Sequence, residues 1–167
     1  DSETENIESM NNLIDWLPKN LPSEKQTGIV HGDYSLTNVM IDKNNPNVIA
    51  ILDWELSTLG DPCADFNYHC LQYTMNPKLA DKEYCKNQGI PIIDDYVKMY
   101  SEKINIDLSD EWDLYSAYNL FKLAGILQGI LGRVRDGTAA HENAAERASG
   151  VRNLSDKAWE LVEKKFL

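Results

Sequence analysis

A short polar segment set between two apolar runs constrains this chain most. The segment reads HGDYSLTN over residues 31–38, with GIV before it and VMI after it. Short runs of β-branched and aliphatic residues that are bounded by polar turn residues are typical of strands. The segment is therefore predicted to be a loop between two strands, which would hold a histidine, an aspartate and an asparagine close together.

A second apolar run makes a hairpin the natural continuation. The run VIAIL follows the connector DKNNPN, and Asp53 comes directly after it. Asn, Asp and Pro favour turns because of their side-chain hydrogen bonding and their restricted backbone. Residues 39–52 are therefore predicted to form a small β-hairpin that ends at Asp53.

The rest of the chain carries apolar residues at helical spacing. Asp61 is predicted to cap a helix whose first residue is Pro62, and Ser109 to cap a later one. Pro18 is expected to end the first helix, and residues 76–93 are expected to form a loop. The predicted helices cover residues 6–17, 62–75, 94–104, 110–133 and 144–162.

Length and composition narrow the class of protein. A chain of 167 residues favours a single domain over 1–167, and no apolar run approaches the roughly 18 residues of a membrane span. A net charge of −11 argues against a nucleic-acid surface. Cys63, Cys70 and Cys85 form no CxxC pair, so they are expected to be reduced, mostly buried thiols of an intracellular protein. Because the first residue is not Met, the chain is expected to be a fragment of a longer one.

Three oxygen-bearing side chains lie at a spacing along the chain that suits phosphoryl transfer. This reaction needs a carboxylate to accept a hydroxyl proton and hard oxygen ligands to hold Mg²⁺ against a triphosphate. Protein kinases place the base Asp five positions before a metal-binding Asn, and a second metal-binding Asp one hairpin later. Asp33, Asn38 and Asp53 reproduce this order. Turn residues and helix caps are the plainer interpretation of the same three positions.

The segments HGDYSLTN and LDWELSTLGDPCAD resemble the catalytic region of the aminoglycoside phosphotransferase and choline-kinase-like family, which has a protein-kinase-like fold. VIAILDWELSTLGDP and LFKLAGILQGILGRV also resemble the kinase-like N-terminal domains of acyl-CoA dehydrogenase family members ten and eleven. The resemblance implies a mostly helical α+β fold, the C-terminal lobe of a kinase-like domain with a small β-hairpin that carries the catalytic and metal loops. The N-terminal lobe is expected to be absent, because only 30 residues precede His31 and none form GxGxxG.

The same resemblance assigns roles to single residues. It makes Asp33 the catalytic base and gives Mg²⁺ binding on ATP to Asn38 and Asp53. His31 and Asp65 would support the catalytic loop. Protein kinases continue their metal motif with Phe-Gly, whereas this chain has Trp-Glu, so Asp53 is expected to keep one position.

The resemblance implies transfer of the ATP γ-phosphate to a hydroxyl, with a 4-hydroxyacyl-CoA as the implied acceptor. It also implies a mitochondrial or peroxisomal polypeptide, with a cytoplasmic one as the alternative, and FAD only in a separate dehydrogenase domain. Without the N-terminal lobe ATP would be held poorly, so little turnover is expected from this segment alone. The alternatives are a non-catalytic module that binds acyl-CoA or a partner domain, and a metal-dependent hydrolase. Tyr68, His69 and Tyr73 are interpreted either as core residues or as the lining of an acceptor pocket.

Overall fold

A computed structural model describes residues 4–22, 26–139 and 144–167. Its mostly helical α+β architecture confirms the predicted fold class. The chain divides into two compact units, residues 23–112 and residues 1–22 with 113–167. The prediction of a single domain stays a prediction.

The helices are α1 Glu8–Asn20, α2 Pro62–Met75, α3 Pro77–Ala80, α4 Lys82–Gln88, α5 Ile93–Ile104, α6 Trp112–Arg135, α7 Ala144–Arg147 and α8 Val151–Phe166. The strands are β1 Gly28–Val30, β2 Val39–Ile41, β3 Val48–Ile51 and β4 Thr58–Gly60.

Two small antiparallel sheets lie in the unit of residues 23–112. Strand β2 pairs with β3, with Val39 opposite Ile51, which confirms the predicted hairpin. Strand β1 pairs with β4, with Val30 opposite Thr58. Strand β4 was not predicted, because a run of three residues without alternation is too short to indicate a strand.

Helix α2 begins as the sequence predicts. The Asp61 side chain accepts a hydrogen bond from the Cys63 amide at 2.9 Å, and Pro62 occupies the first turn. Phe66 packs inside the unit and stacks on Tyr100 with ring centroids 3.8 Å apart. The three cysteines of the chain are buried, as predicted, and form no disulfide.

The predicted loop over residues 76–93 was wrong. It contains α3 and α4, which begin at two capping side chains. Asn76 accepts from the Lys78 amide at 3.0 Å, and Asp81 accepts from the amides of Glu83 and Tyr84 at 2.9 and 3.2 Å. Asn-Pro and Asp at these positions are ordinary helix N-termini, so the sequence did carry the signal.

Three helix boundaries also differ from the prediction. Helix α1 continues through Pro18, which lies in its last turn. Helix α6 begins at Trp112, so Ser109 is not its N-cap. The predicted last helix is two helices, because α7 and α8 are separated by the turn at residues 148–150.

In the unit of residues 1–22 and 113–167, α1 packs against α8. The Ser9 hydroxyl donates to the Asp156 carboxylate at 2.7 Å, and Leu13, Leu17 and Val162 are buried. Within the part of the chain that the structure describes, no helix has the length and apolar character to cross a membrane.

Candidate active site

The loop that follows β1 is fixed by a carboxylate of helix α2. Asp65 accepts hydrogen bonds from the backbone amides of His31 and Gly32, the second at 3.0 Å. A carboxylate can accept two amides at once, one on each oxygen. Gly32 has φ +85°, a conformation that L side chains rarely adopt. The loop therefore turns at a glycine and is held there by Asp65.

His31 is buried, and both of its ring nitrogens form hydrogen bonds with the protein backbone. Its Nε2 donates to the Leu52 carbonyl at 2.7 Å, and its Nδ1 accepts from the Asp33 amide at 3.3 Å. This pattern fits the neutral ring with its proton on Nε2. The Trp54 ring packs beside it, with centroids 4.8 Å apart. His31 thus joins the loop to the end of β3, and hydrogen bonds within the protein occupy both of its ring nitrogens.

Asn38 and Asp33 contact each other across the loop. The Asn38 amide nitrogen donates to the Asp33 carbonyl at 2.9 Å and to its carboxylate at 3.1 Å. The backbone carbonyl of Asn38 accepts from the backbone amide of Leu52 at 2.8 Å. Leu52 precedes Asp53, so this hydrogen bond brings the end of the hairpin against the loop. The structure therefore brings the three predicted site residues into one neighbourhood. Their roles as base and metal ligands stay predictions.

Asp53 adopts a left-handed backbone conformation, with φ 65° and ψ 55°. Asp and Asn visit this region more readily than other non-glycine residues. Its neighbours are held, since the Leu52 amide binds Asn38 and the Trp54 indole donates to the Ile51 carbonyl at 2.8 Å. The Asp53 residue itself is exposed, which leaves its carboxylate accessible to a cation.

The donor set fits magnesium on a nucleotide better than a metal held by the protein alone. Across residues 4–22, 26–139 and 144–167, no group of three His, Cys, Asp or Glu side chains could hold a metal ion. Mg²⁺ is usually bound by one or two protein oxygens together with substrate phosphates and water. The Asn38 amide oxygen, which its bonds to Asp33 do not use, and the Asp53 carboxylate match this requirement. The hydrolase alternative requires a cluster that these residues do not form.

Sequence reasoning missed one direct contact of Asp33. The Tyr68 hydroxyl, on α2, donates a hydrogen bond to the Asp33 carboxylate. Tyr68 lies three residues after Asp65, and residues at this spacing share a helix face. That spacing was the available signal, because Asp65 was already expected to support the loop.

The next residue of α2 also faces the loop. The His69 ring lies 5.3 Å from the Tyr34 ring, centroid to centroid, and its Nε2 lies 3.2 Å from the Tyr96 hydroxyl. Burial lowers the pKa of His69, so its ring is neutral at pH 7. Tyr73, in contrast, donates to the Pro91 carbonyl at 2.8 Å. Of the three candidate pocket residues, Tyr68 and His69 contact the loop.

We predict that Asp65→Asn destabilises the chain by about 2 kcal/mol, because an amide offers one oxygen to two backbone N–H groups. Asp61→Asn is the matched control, since asparagine caps helices as well as aspartate, and it should change stability by less than about 0.5 kcal/mol. Urea unfolding of both variants measures the difference. Equal stability of the two variants would show that Asp65 does not hold the loop.

Comparison with known proteins adds evidence of ancestry. The model of the phosphotransferase enzyme family matches residues 1–118. A crystal structure from Ralstonia eutropha, described as that of a candidate aminoglycoside phosphotransferase, superposes with a TM-score of 0.91 at 41% sequence identity. The superposition covers 99% of this chain and 52% of that one.

Longer proteins are also similar to this chain. Acyl-CoA dehydrogenase family member 10 of Mus musculus is 37% identical over 98% of this chain, and acyl-CoA dehydrogenase family member 11 of Homo sapiens is 32% identical over 97%. A probable acyl-CoA dehydrogenase of Arabidopsis thaliana is 36% identical over 90%. The chain spans only 16%, 21% and 19% of these relatives, respectively.

Proposed function

This chain belongs to the phosphotransferase enzyme family, and we propose that in the whole protein it forms the catalytic lobe that moves the γ-phosphate of ATP onto a hydroxyl group. The observation that carries this proposal is the cluster around the loop of residues 31–38. Asp33 contacts Asn38 through two hydrogen bonds, and the backbone amide of Leu52, the residue before Asp53, donates to the backbone carbonyl of Asn38.

Asp33 acts as the base in this proposal. Its carboxylate accepts the proton of the acceptor hydroxyl, and the hydroxyl oxygen forms a bond to the γ-phosphorus. The bond from that phosphorus to the bridging oxygen breaks, and ADP leaves with the electron pair. Positioning and charge stabilisation supply most of the catalysis in such reactions, so a rigid loop suits the task.

Asn38 and Asp53 would hold Mg²⁺ through the amide oxygen and the carboxylate. The ion supplies charge neutralisation for the phosphates of ATP. The left-handed backbone of Asp53 supports this role, because a residue held in a rare conformation within a hydrogen-bonded frame keeps its Cα–Cβ bond, from which the carboxylate extends, in one direction.

A hydroxyacyl-CoA, the 4-hydroxy type in particular, is the acceptor that we propose. The support is the similarity to acyl-CoA dehydrogenase family members 10 and 11, of which this chain spans about a fifth. We place FAD in a separate dehydrogenase part of such a polypeptide, in mitochondria or peroxisomes.

The strand region supports the proposal that a further lobe covers it in the whole protein. Ile29 and Leu59 on the paired strands β1 and β4 are 71% and 72% exposed, and several apolar side chains of the hairpin are exposed as well. Apolar patches of this kind mark interaction surfaces. A lobe in this position would lie beside Asp53 and could hold the nucleotide.

The test is ATP consumption by the full-length protein with a panel of hydroxyacyl-CoAs and aminoglycosides. We expect Mg²⁺-dependent ADP formation together with a phosphorylated acyl-CoA, and none with acyl-CoAs that lack the hydroxyl. Tight acyl-CoA binding without ADP formation would favour the alternative, a non-catalytic module. Turnover with aminoglycosides alone would overturn the proposed acceptor.

We predict that Asp53→Asn raises the Mg²⁺ concentration for half-maximal rate about tenfold, because asparagine keeps the left-handed backbone but lacks the charge that binds the ion. Asp42→Asn removes the same charge in the hairpin connection, where the Asp42 carboxylate accepts from the Asn44 amide, and is the control. Titration of Mg²⁺ at saturating ATP measures both variants. An unchanged Mg²⁺ requirement in Asp53→Asn would remove this residue from the metal site.

A further inference from the structure

One face of helix α2 contacts the loop of residues 31–34 in matching order. Asp65 accepts from the amides of His31 and Gly32, and one turn later Tyr68 donates to the Asp33 carboxylate. Residues three and four positions apart lie on the same side of a helix, so these contacts arise from a single surface. Helix α2 therefore contacts both the backbone of the loop and the side chain of the proposed base.

Within the described part of the chain, two donors from different elements contact the Asp33 carboxylate. The Asn38 amide nitrogen, from the loop itself, lies 3.1 Å from one carboxylate oxygen. The Tyr68 hydroxyl approaches from the helix. With a single donor, a carboxylate could still rotate about χ2, because the preferred values of this terminal torsion are broadly distributed and roughly two-fold. Two donors on different elements restrict that rotation.

We propose that Tyr68 is a positioning residue, whose hydroxyl holds the Asp33 carboxylate in the orientation that accepts the proton of the acceptor hydroxyl. The proposal rests on the proposed function, in which Asp33 is the base. Tyr68 does not contact the reacting atoms in this account. It acts through Asp33, as Asp65 acts through the loop backbone.

The chemistry of Tyr68 suits a permanent donor. Burial, followed by the charge of Asp33 and the hydrogen bond to it, raises the pKa of Tyr68 to about 12. The phenol therefore keeps its proton throughout the pH range in which Asp33 would act. Because the hydroxyl holds its own proton, it does not compete with the carboxylate for the proton of the acceptor.

Helix α2 offers a matched control on its own surface. Tyr73 is also partly buried, but its hydroxyl donates to the Pro91 carbonyl at 2.8 Å. Tyr68→Phe and Tyr73→Phe each remove one hydroxyl and one hydrogen bond from the same helix. Only the first of them removes a contact with Asp33.

The kinetic test uses both variants in the full-length protein with ATP and a hydroxyacyl-CoA. We expect Tyr68→Phe to lower kcat about tenfold without changing the KM for ATP, because misplacement of a reacting group slows the chemical step. Tyr73→Phe should leave kcat within twofold of the wild type. A kcat for Tyr68→Phe within twofold of the wild type, or equal losses in the two variants, would overturn the proposal.

A second measurement does not depend on turnover. In the full-length protein labelled isotopically at tyrosine Cζ, Asp33→Ala should move the NMR signal of Tyr68 and leave that of Tyr73 in place; the Tyr68→Phe variant assigns the signal. An unmoved Tyr68 signal would overturn the contact and with it the positioning role. A moved signal in a protein that shows no phosphoryl transfer would instead overturn the proposed function.

Discussion

Asp33→Asn should lower kcat about a thousandfold in the full-length protein, because an amide cannot accept the proton that the acceptor hydroxyl loses. The substitution keeps the size of the side chain and one oxygen, which can still accept from the Asn38 amide. The Tyr68 hydroxyl, which donates to the carboxylate in the wild type, can rotate and accept from the new NH₂ group. Loss of rate would then report loss of the base and not collapse of the loop. The measurement is single-turnover formation of the phosphorylated product, with thermal unfolding as the check on the fold.

The control for this variant is Asp42→Asn. Asp42 also lies in a loop, where its carboxylate accepts from the amides of Asn44 and Asn45 at 2.7 and 3.3 Å in the hairpin connection. It undergoes the same change of charge, and we expect turnover within twofold of the wild type. If Asp33→Asn behaved like Asp42→Asn, the base would have to be another group, or the transfer would have to proceed without one.

The parts of this site that lie close in sequence could be predicted. Asp33 and Asn38 share one short loop, and Asp53 follows the partner strand of the hairpin, so their spacing alone indicated that they meet. Asp61 with Pro62 likewise indicated a helix start from two adjacent residues. Such signals depend on local chemistry, which the sequence displays directly.

The contacts that join distant segments could not be predicted in the same way. Strand β4 exists because Thr58–Gly60 pairs with β1, a partner about 30 residues away in the chain. Three residues with little periodicity carry no strand signal of their own. The contact of Tyr68 with Asp33 is of the same kind, since it depends on how α2 lies against the loop.

Two errors came from local rules that the structure overrides. Pro18 was expected to end α1, yet the helix continues for two residues after it. Proline lacks an amide hydrogen, and because Pro18 lies in the last turn, only that turn loses a hydrogen bond. Ser109 was expected to cap α6, but its own amide donates to the Asp107 side chain at 2.9 Å in a turn, and the helix begins at Trp112. A residue that favours caps also favours turns, so Ser109 alone could not distinguish them.

Gly32→Ala should destabilise the unit of residues 23–112 by roughly 2–4 kcal/mol, because it combines a strained backbone with a clash. Gly32 has φ +85°, and a Cβ added there would lie 2.6 Å from the Leu56 carbonyl oxygen. That oxygen belongs to the backbone, so the clash can be removed only if the backbone around Leu56, which follows Asp53, shifts. The loop would move together with Asp33, and we expect phosphoryl transfer to fall with stability.

Gly89→Ala separates the two causes of this loss. Gly89 also has a positive φ, +67°, as the C-cap of α4, but a Cβ added there meets no atom within 4 Å. It should cost only the conformational term, about 1 kcal/mol, and leave turnover unchanged. Urea unfolding of both variants, with ADP formation measured in parallel, isolates the clash with Leu56 as the difference between them. Equal unfolding midpoints would mean that the loop can move away from Leu56, and glycine at position 32 would then be required for its backbone conformation alone.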